Sequence, residues 1–99
     1  MKSFRFKDVK KNTWRVEMPD GTAVTIRQPT KADADVLATV LNTHDLNEIY
    51  EGVAYILSSN LEKREFMASD LEAIFDFQDL TAFLGGYTEF LQESSNVKN

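Results

Sequence analysis

Ninety-nine residues with 42% hydrophobic and 27% charged side chains describe one folded domain, with neither a disordered nor a membrane-resident composition. No cysteine is present, which excludes disulfides, thiol chemistry and thiolate metal sites. The net charge of −5 is split along the chain: residues 1–31 hold eight Lys or Arg against three acids, a net +5, whereas residues 32–99 hold three bases against thirteen acids, a net −10.

The hydrophobic period changes where the charge does, from two in the basic part to helical in the acidic part. A domain with a positive β end and a negative α end is polarised for contact with other proteins, including copies of itself. No apolar run approaches the roughly 18 residues of a membrane helix. The N-terminus, Met1-Lys2-Ser3-Phe4-Arg5, lacks the apolar stretch of a signal peptide, so a cytoplasmic protein without membrane contact is expected.

Trp14-Arg15-Val16-Glu17-Met18 and Val24-Thr25-Ile26-Arg27 alternate apolar and polar residues, as half-buried strands do. Pro19-Asp20-Gly21 between them reads as a three-residue hairpin loop, with Gly in the left-handed position. That loop pairs Trp14 with Ile26 and Val16 with Val24 on one apolar face. A two-residue loop would set Trp14 opposite Arg27 and mix the faces. Phe4-Arg5-Phe6 shows the same alternation and predicts a third strand, joined through a turn at Asp8-Val9-Lys10-Lys11-Asn12. Arg5, Lys7, Arg15 and Arg27 then point away from the core, either as a solvated face that discourages edge-to-edge pairing or as a docking surface for an acidic partner.

Pro29-Thr30 opens the helical part, with Thr30 as cap, Asp33 and Asp35 near the first turn, and Val36, Leu37, Val40 and Leu41 at helical spacing. Asn42-Thr43-His44 reads as a connector. Thr43 or Asp45 then caps a second helix with the stripe Leu46, Ile49, Tyr50, Val53 and Leu57, ended by Ser58-Ser59-Asn60. Ser69 with Glu72 reads as a capping box for a short helix. Asp76 offers the next cap, followed by the stripe Leu80, Phe83, Leu84, Tyr87, Phe90 and Leu91. Gly85-Gly86 falls inside that stripe without breaking its phase, which predicts one helix, bent or closely approached there, with a stop at Gly85 as the alternative. The fold class is α+β: a meander of two to three antiparallel strands followed by three to four short helices, in one domain over residues 1–93 with a frayed tail over 94–99.

Residues able to do chemistry are sparse. His44 has no partner at a ligand spacing. The acid pairs Asp33/Asp35 and Asp76/Asp79 sit where helix starts already account for them. EF-hand, Walker and Rossmann patterns do not occur. No catalytic residue, cofactor or metal is therefore expected, and the chain reads as a binding protein, not an enzyme. Aromatics interleaved with Lys and Arg occur in single-strand binders, but Phe4, Phe6 and Trp14 alternate onto the face opposite the bases, and the acidic balance opposes phosphate, so no nucleic acid is expected. The candidate protein contacts are the cations Arg5, Lys7, Arg15 and Arg27, and the helical acids Glu48, Glu51, Asp70 and Glu72. The stripe Phe83, Tyr87 and Phe90 reads as core or, if the last helix packs loosely, as a partner groove.

The hairpin with its Asp20-Gly21 turn, Gln28-Pro29-Thr30 leading to helices, and Ser69-Asp70-Leu71-Glu72-Ala73-Ile74-Phe75-Asp76-Phe77 followed by Leu80, Phe83, Leu84, Tyr87, Phe90 and Leu91 together resemble the tail assembly chaperones of long-tailed bacteriophages and related prophages. The resemblance is one of layout over about residues 13–92. It implies a small, acidic, mostly helical protein that coats a long tape-measure protein before the tail-tube protein polymerises around it, and that self-associates. It carries no catalytic residues. The alternative in the same setting is a small structural head–tail or tail-completion subunit that stays in the particle. An inhibitor imitating DNA charge is opposed by the +5 segment.

Overall fold

The loop Pro19-Asp20-Gly21 closes a hairpin of β1 (Trp14–Glu17) and β2 (Ala23–Ile26) in the computed structural model, which describes residues 2–95. The register pairs Trp14 with Ile26 and Val16 with Val24, as the facing of the apolar residues requires. Gly21, at φ +90°, donates its N–H to Met18 O at 2.9 Å, and Met18 N–H donates to Thr22 O at 2.7 Å. Only a residue without a side chain takes that backbone angle freely. Asp20 accepts from both the hydroxyl and the N–H of Thr22, and these bonds hold its carboxyl below the usual carboxylate range.

The expected third strand is not formed. Phe4 lies in extended chain and Phe6–Asp8 make a single 3-10 turn, while Phe4 and Phe6 stand 73% and 80% exposed and meet each other edge to face at 4.9 Å. The reason is register. The five-residue turn that would bring Phe6 opposite Trp14 and Phe4 opposite Val16 also sets Arg5 directly opposite Arg15, and like charges across an antiparallel pair are destabilising. The outer edge of β2 is covered by another segment, the connector after the second helix. Arg27 N–H donates to Ser59 O at 3.0 Å, Leu61 N–H donates to Thr25 O at 2.9 Å, and Ile26 bridges Asn60. Glu62 completes the clamp by accepting from Thr25 N–H and hydroxyl, each at 2.8 Å, which keeps its carboxyl below the ordinary range. Asn60, buried, donates to the carbonyls of Leu57 and Arg64 at 2.7 Å and accepts from Arg64 N–H at 2.9 Å.

Four helices follow: α1 (Lys31–Asn42), α2 (Leu46–Ser58), α3 (Ala68–Ile74) and α4 (Phe77–Ser95), so the fold is α+β. Thr30 caps α1 through a box with Asp33, whose carboxylate accepts from Thr30 N–H at 2.8 Å. Asp45 caps α2, accepting from Asn47 N–H at 2.8 Å. The start of α3 differs from the Ser69–Glu72 expectation. Met67 is the cap residue and Asp70, three residues on, accepts its N–H at 3.0 Å, so the shorter and closer carboxylate sets the boundary. Asp76 and Asp79 bond each other's backbone N–H at 2.8 and 3.1 Å and start α4.

α4 runs unbroken through Gly85-Gly86, and the close approach there is made by Trp14. A Cβ on Gly86 would lie 2.8 Å from Trp14 Cζ2. The helix continues to Ser95, two residues past the expected end of the domain, and Ser94 O accepts from Gln28 Nε2 at 3.3 Å. The rest of the expected tail, 96–99, lies outside the described residues. Among the described residues no helix is long and apolar enough to cross a membrane.

The core lies between the hairpin's apolar face and the helices, with α2 at its centre: Val53, Ile56 and Leu57 are fully buried, as is Leu71 of α3. Tyr87 of α4 is 1% exposed, and burial, with the nearby Asp33 charge adding to it, pushes its phenol up to about 12. A raised phenol favours the fold fully below the unfolded value of 10.0 and loses that advantage as pH climbs to about 12, because the unfolded chain ionises first. Urea unfolding followed across that window is expected to show stability falling by about 2–3 kcal/mol, and Tyr87→Phe is expected to remove that slope.

Candidate protein-contact surfaces

The sequence places a cationic face on the sheet, and the structure moves it. Arg27 turns inward to an ion pair: its guanidinium forks onto the carboxylate of Asp33 at 3.1 and 3.3 Å, and Asp33 is 1% exposed. The turn at Gln28-Pro29 folds the start of α1 back over the end of β2, which brings a helix-cap acid onto a strand cation. Arg15 is exposed but bonded to Glu17 at 2.8 Å along the outer edge of β1. That edge pairs with no strand among the described residues, and alternating charges there discourage a second chain from adding to it. Arg5 and Lys7 are exposed, but on an arm and not on a sheet.

Residues 2–13 form that arm, and every one of them is exposed. It carries Lys2, Arg5, Lys7, Lys10 and Lys11 against the single acid Asp8, a net +4, together with the unburied Phe4, Phe6 and Val9. Among the described residues its one hydrogen bond to the body is Asn12 N–H to Gln28 Oε1, at 2.8 Å. The composition of the arm was visible as the basic start of the chain, but the alternation of Phe4 and Phe6 pointed to a strand.

The expected acids separate into two groups. Glu48 and Glu51 border one trough of about 420 Å³ between α1 and α2, with Asp35 on the opposite wall. Its floor is apolar, made by Val36, Val40 and the half-exposed Tyr55. The helices close tightly beneath it because α2 has Gly52 at the crossing, where any Cβ would overlap Val40 Cγ2. Lys31 pairs with Asp35 at 3.0 Å in full exposure, and Glu48 accepts from the Thr43 hydroxyl, so Glu51 is the acid there with no bonded partner among the described residues. Asp70 is spent on the α3 cap, and Glu72 stands exposed on that helix, outside the trough.

Phe83, Tyr87 and Phe90 are core, and of the three Phe83 also reaches a surface hollow of about 310 Å³ beside Trp14 and Phe75. All three are buried, and Trp14 stacks on Phe83 at 5.5 Å and Phe90 at 5.7 Å while touching Tyr87 at 6.1 Å. They meet the hairpin chiefly through Trp14, so in this structure these rings serve the core. Leu41 and Leu46, expected on the buried stripes, instead stand 55% and 50% exposed on either side of the connector from α1 to α2. His44, between them, is exposed.

Chemically, the arm offers cations and aromatic rings, and the trough offers carboxylates around an apolar floor. No family model, curated protein or solved structure matches this chain.

Proposed function

We propose that this chain is a non-enzymatic tail assembly chaperone, of the kind its layout resembles. It binds a long helical, tape-measure-like protein in the host cytoplasm during tail assembly and associates with copies of itself. The observation that supports the reading best is the arm, where Phe4 and Phe6 stand 73% and 80% exposed among five cations. Apolar rings held in water beside like charges gain nothing within one copy, and gain hydrophobic and ionic contact when another chain covers them.

Co-expression with a tape-measure-like coiled-coil protein tests the chaperone role. The soluble fraction of that client is expected to rise several-fold, and mass spectrometry of purified particles is expected to lack this chain. An unchanged client overturns the reading, and recovery of the chain from particles replaces it with the structural-subunit alternative.

A further inference from the structure

We propose that the arm of one copy seats in the α1–α2 trough of a second copy, with Phe4 and Phe6 on the floor of Val36, Val40 and Tyr55, and Arg5 and Lys7 against Glu48 and Glu51. The inference rests on the reading of the chain as a self-associating binding protein and specifies the two surfaces that meet. It does not depend on the identity of the client.

Sign and shape both select this pairing. The arm is the one strongly basic segment whose cations are left for a partner, since Arg27 is committed to Asp33 and Arg15 to Glu17. The trough presents Glu48 and Glu51, with Asp35 already paired to Lys31, around an apolar floor, and it holds about 420 Å³ of open space. Phe4, Arg5, Phe6 and Lys7 alternate ring and cation, so an arm that opens its single turn at Phe6–Asp8 and extends on binding turns its rings to the floor while its cations reach the rim. The occupant is a second copy because of how the arm leaves the body. Its base is tied at Asn12 to Gln28, beyond the end of β2, and residues 2–11 lie in solvent clear of their own trough. A copy that has given its arm still offers its trough, so one contact does not use up the other surface.

Sedimentation velocity over a concentration series tests this with three proteins: the natural chain, the arm variant Phe4→Ser/Phe6→Ser, and the trough variant Glu48→Lys/Glu51→Lys. The natural chain is expected to associate, and less so as salt rises and screens contacts beyond about 8 Å. Each variant alone is expected to associate more than about tenfold more weakly, since anchor residues dominate such contacts. The decisive sample is their equimolar mixture. It is expected to recover a one-to-one complex, because the arm variant still has a trough and the trough variant still has an arm. The arm variant should melt like the natural chain, as Phe4 and Phe6 pack on each other and bury nothing.

A natural chain that stays monomeric, variants that associate as it does, or a mixture that stays monomeric would each overturn the proposal. A monomer that still raises client solubility removes this contact and leaves the chaperone reading intact. Oligomers that need arm and trough but leave the client unchanged do the reverse.

Discussion

Trp14→Ala is expected to lower the unfolding free energy by about 3–5 kcal/mol, read from urea midpoints at constant slope. Trp14 is the strand residue that joins sheet to helix. Its indole stacks on Phe83 and Phe90 with interplanar angles of 27° and 25° and lies against Gly86. Truncation removes those aromatic contacts and leaves a void that α4 closes only by tilting. Gly86 supplies the control. In the natural chain Gly86→Ala drives a methyl into Trp14 and is expected to cost about 1–3 kcal/mol despite the better helix propensity of alanine. In the Trp14→Ala background the obstacle is gone, and the same Gly86→Ala change is expected to be neutral or to stabilise by up to about 1 kcal/mol. The reversal of sign is the test. Two additive losses would mean that the tryptophan and the glycine do not share a contact.

The same pair shows what a one-dimensional reading captures. The hairpin register followed from the sequence because period, loop length and face all agreed, and the phase of α4 across Gly85-Gly86 identified a single helix approached from outside. Which residue makes that approach depends on how the sheet lies on the helix, and no local pattern carries that. Phe4 and Phe6 misled because alternation reports that a segment could be a strand, without reporting the cross-strand charge that opposes the pairing. Ser69 and Glu72 misled in a smaller way: Met67 and Asp70 fit the same spacing two residues earlier, and backbone geometry chose between them.

The candidate surfaces divide along the same line. Glu48 and Glu51, three apart on a helix, were bound to share a face, so their joint place on the trough was legible. Tyr55, four residues past Glu51 on α2, shares that face by the same spacing, whereas Asp35 comes from the opposite wall and joins those acids only through the α1–α2 crossing that Gly52 permits. Arg27 looked like an outward strand cation by alternation. Asp33 looked fully explained as a helix-start acid. Each reading was locally sound, and the contact between them exists only once the turn at Gln28-Pro29 is folded.

That contact sets the second large effect. Arg27→Met is expected to destabilise the fold by about 3 kcal/mol at neutral pH, more than Asp33→Ala at about 2 kcal/mol. The asymmetry comes from burial. Asp33 is 1% exposed, so removing Arg27 strands a carboxylate away from water with the Thr30 amide as its nearest compensation. Removing Asp33 costs the α1 cap, but the Arg27 side chain is 35% exposed and its guanidinium can turn to water, keeping its bond to Gln28 O or exchanging it. The double variant Arg27→Met/Asp33→Ala is then expected to lose at least about 1 kcal/mol less than the sum of the single losses, since neither charge is left alone. High salt should change these values little, because a charge pair this enclosed is poorly screened, whereas it weakens the exposed pairs Arg15–Glu17 and Lys31–Asp35. Equal single losses that simply add would place Arg27 and Asp33 in independent roles, and would return Arg27 to the set of cations free to meet a partner.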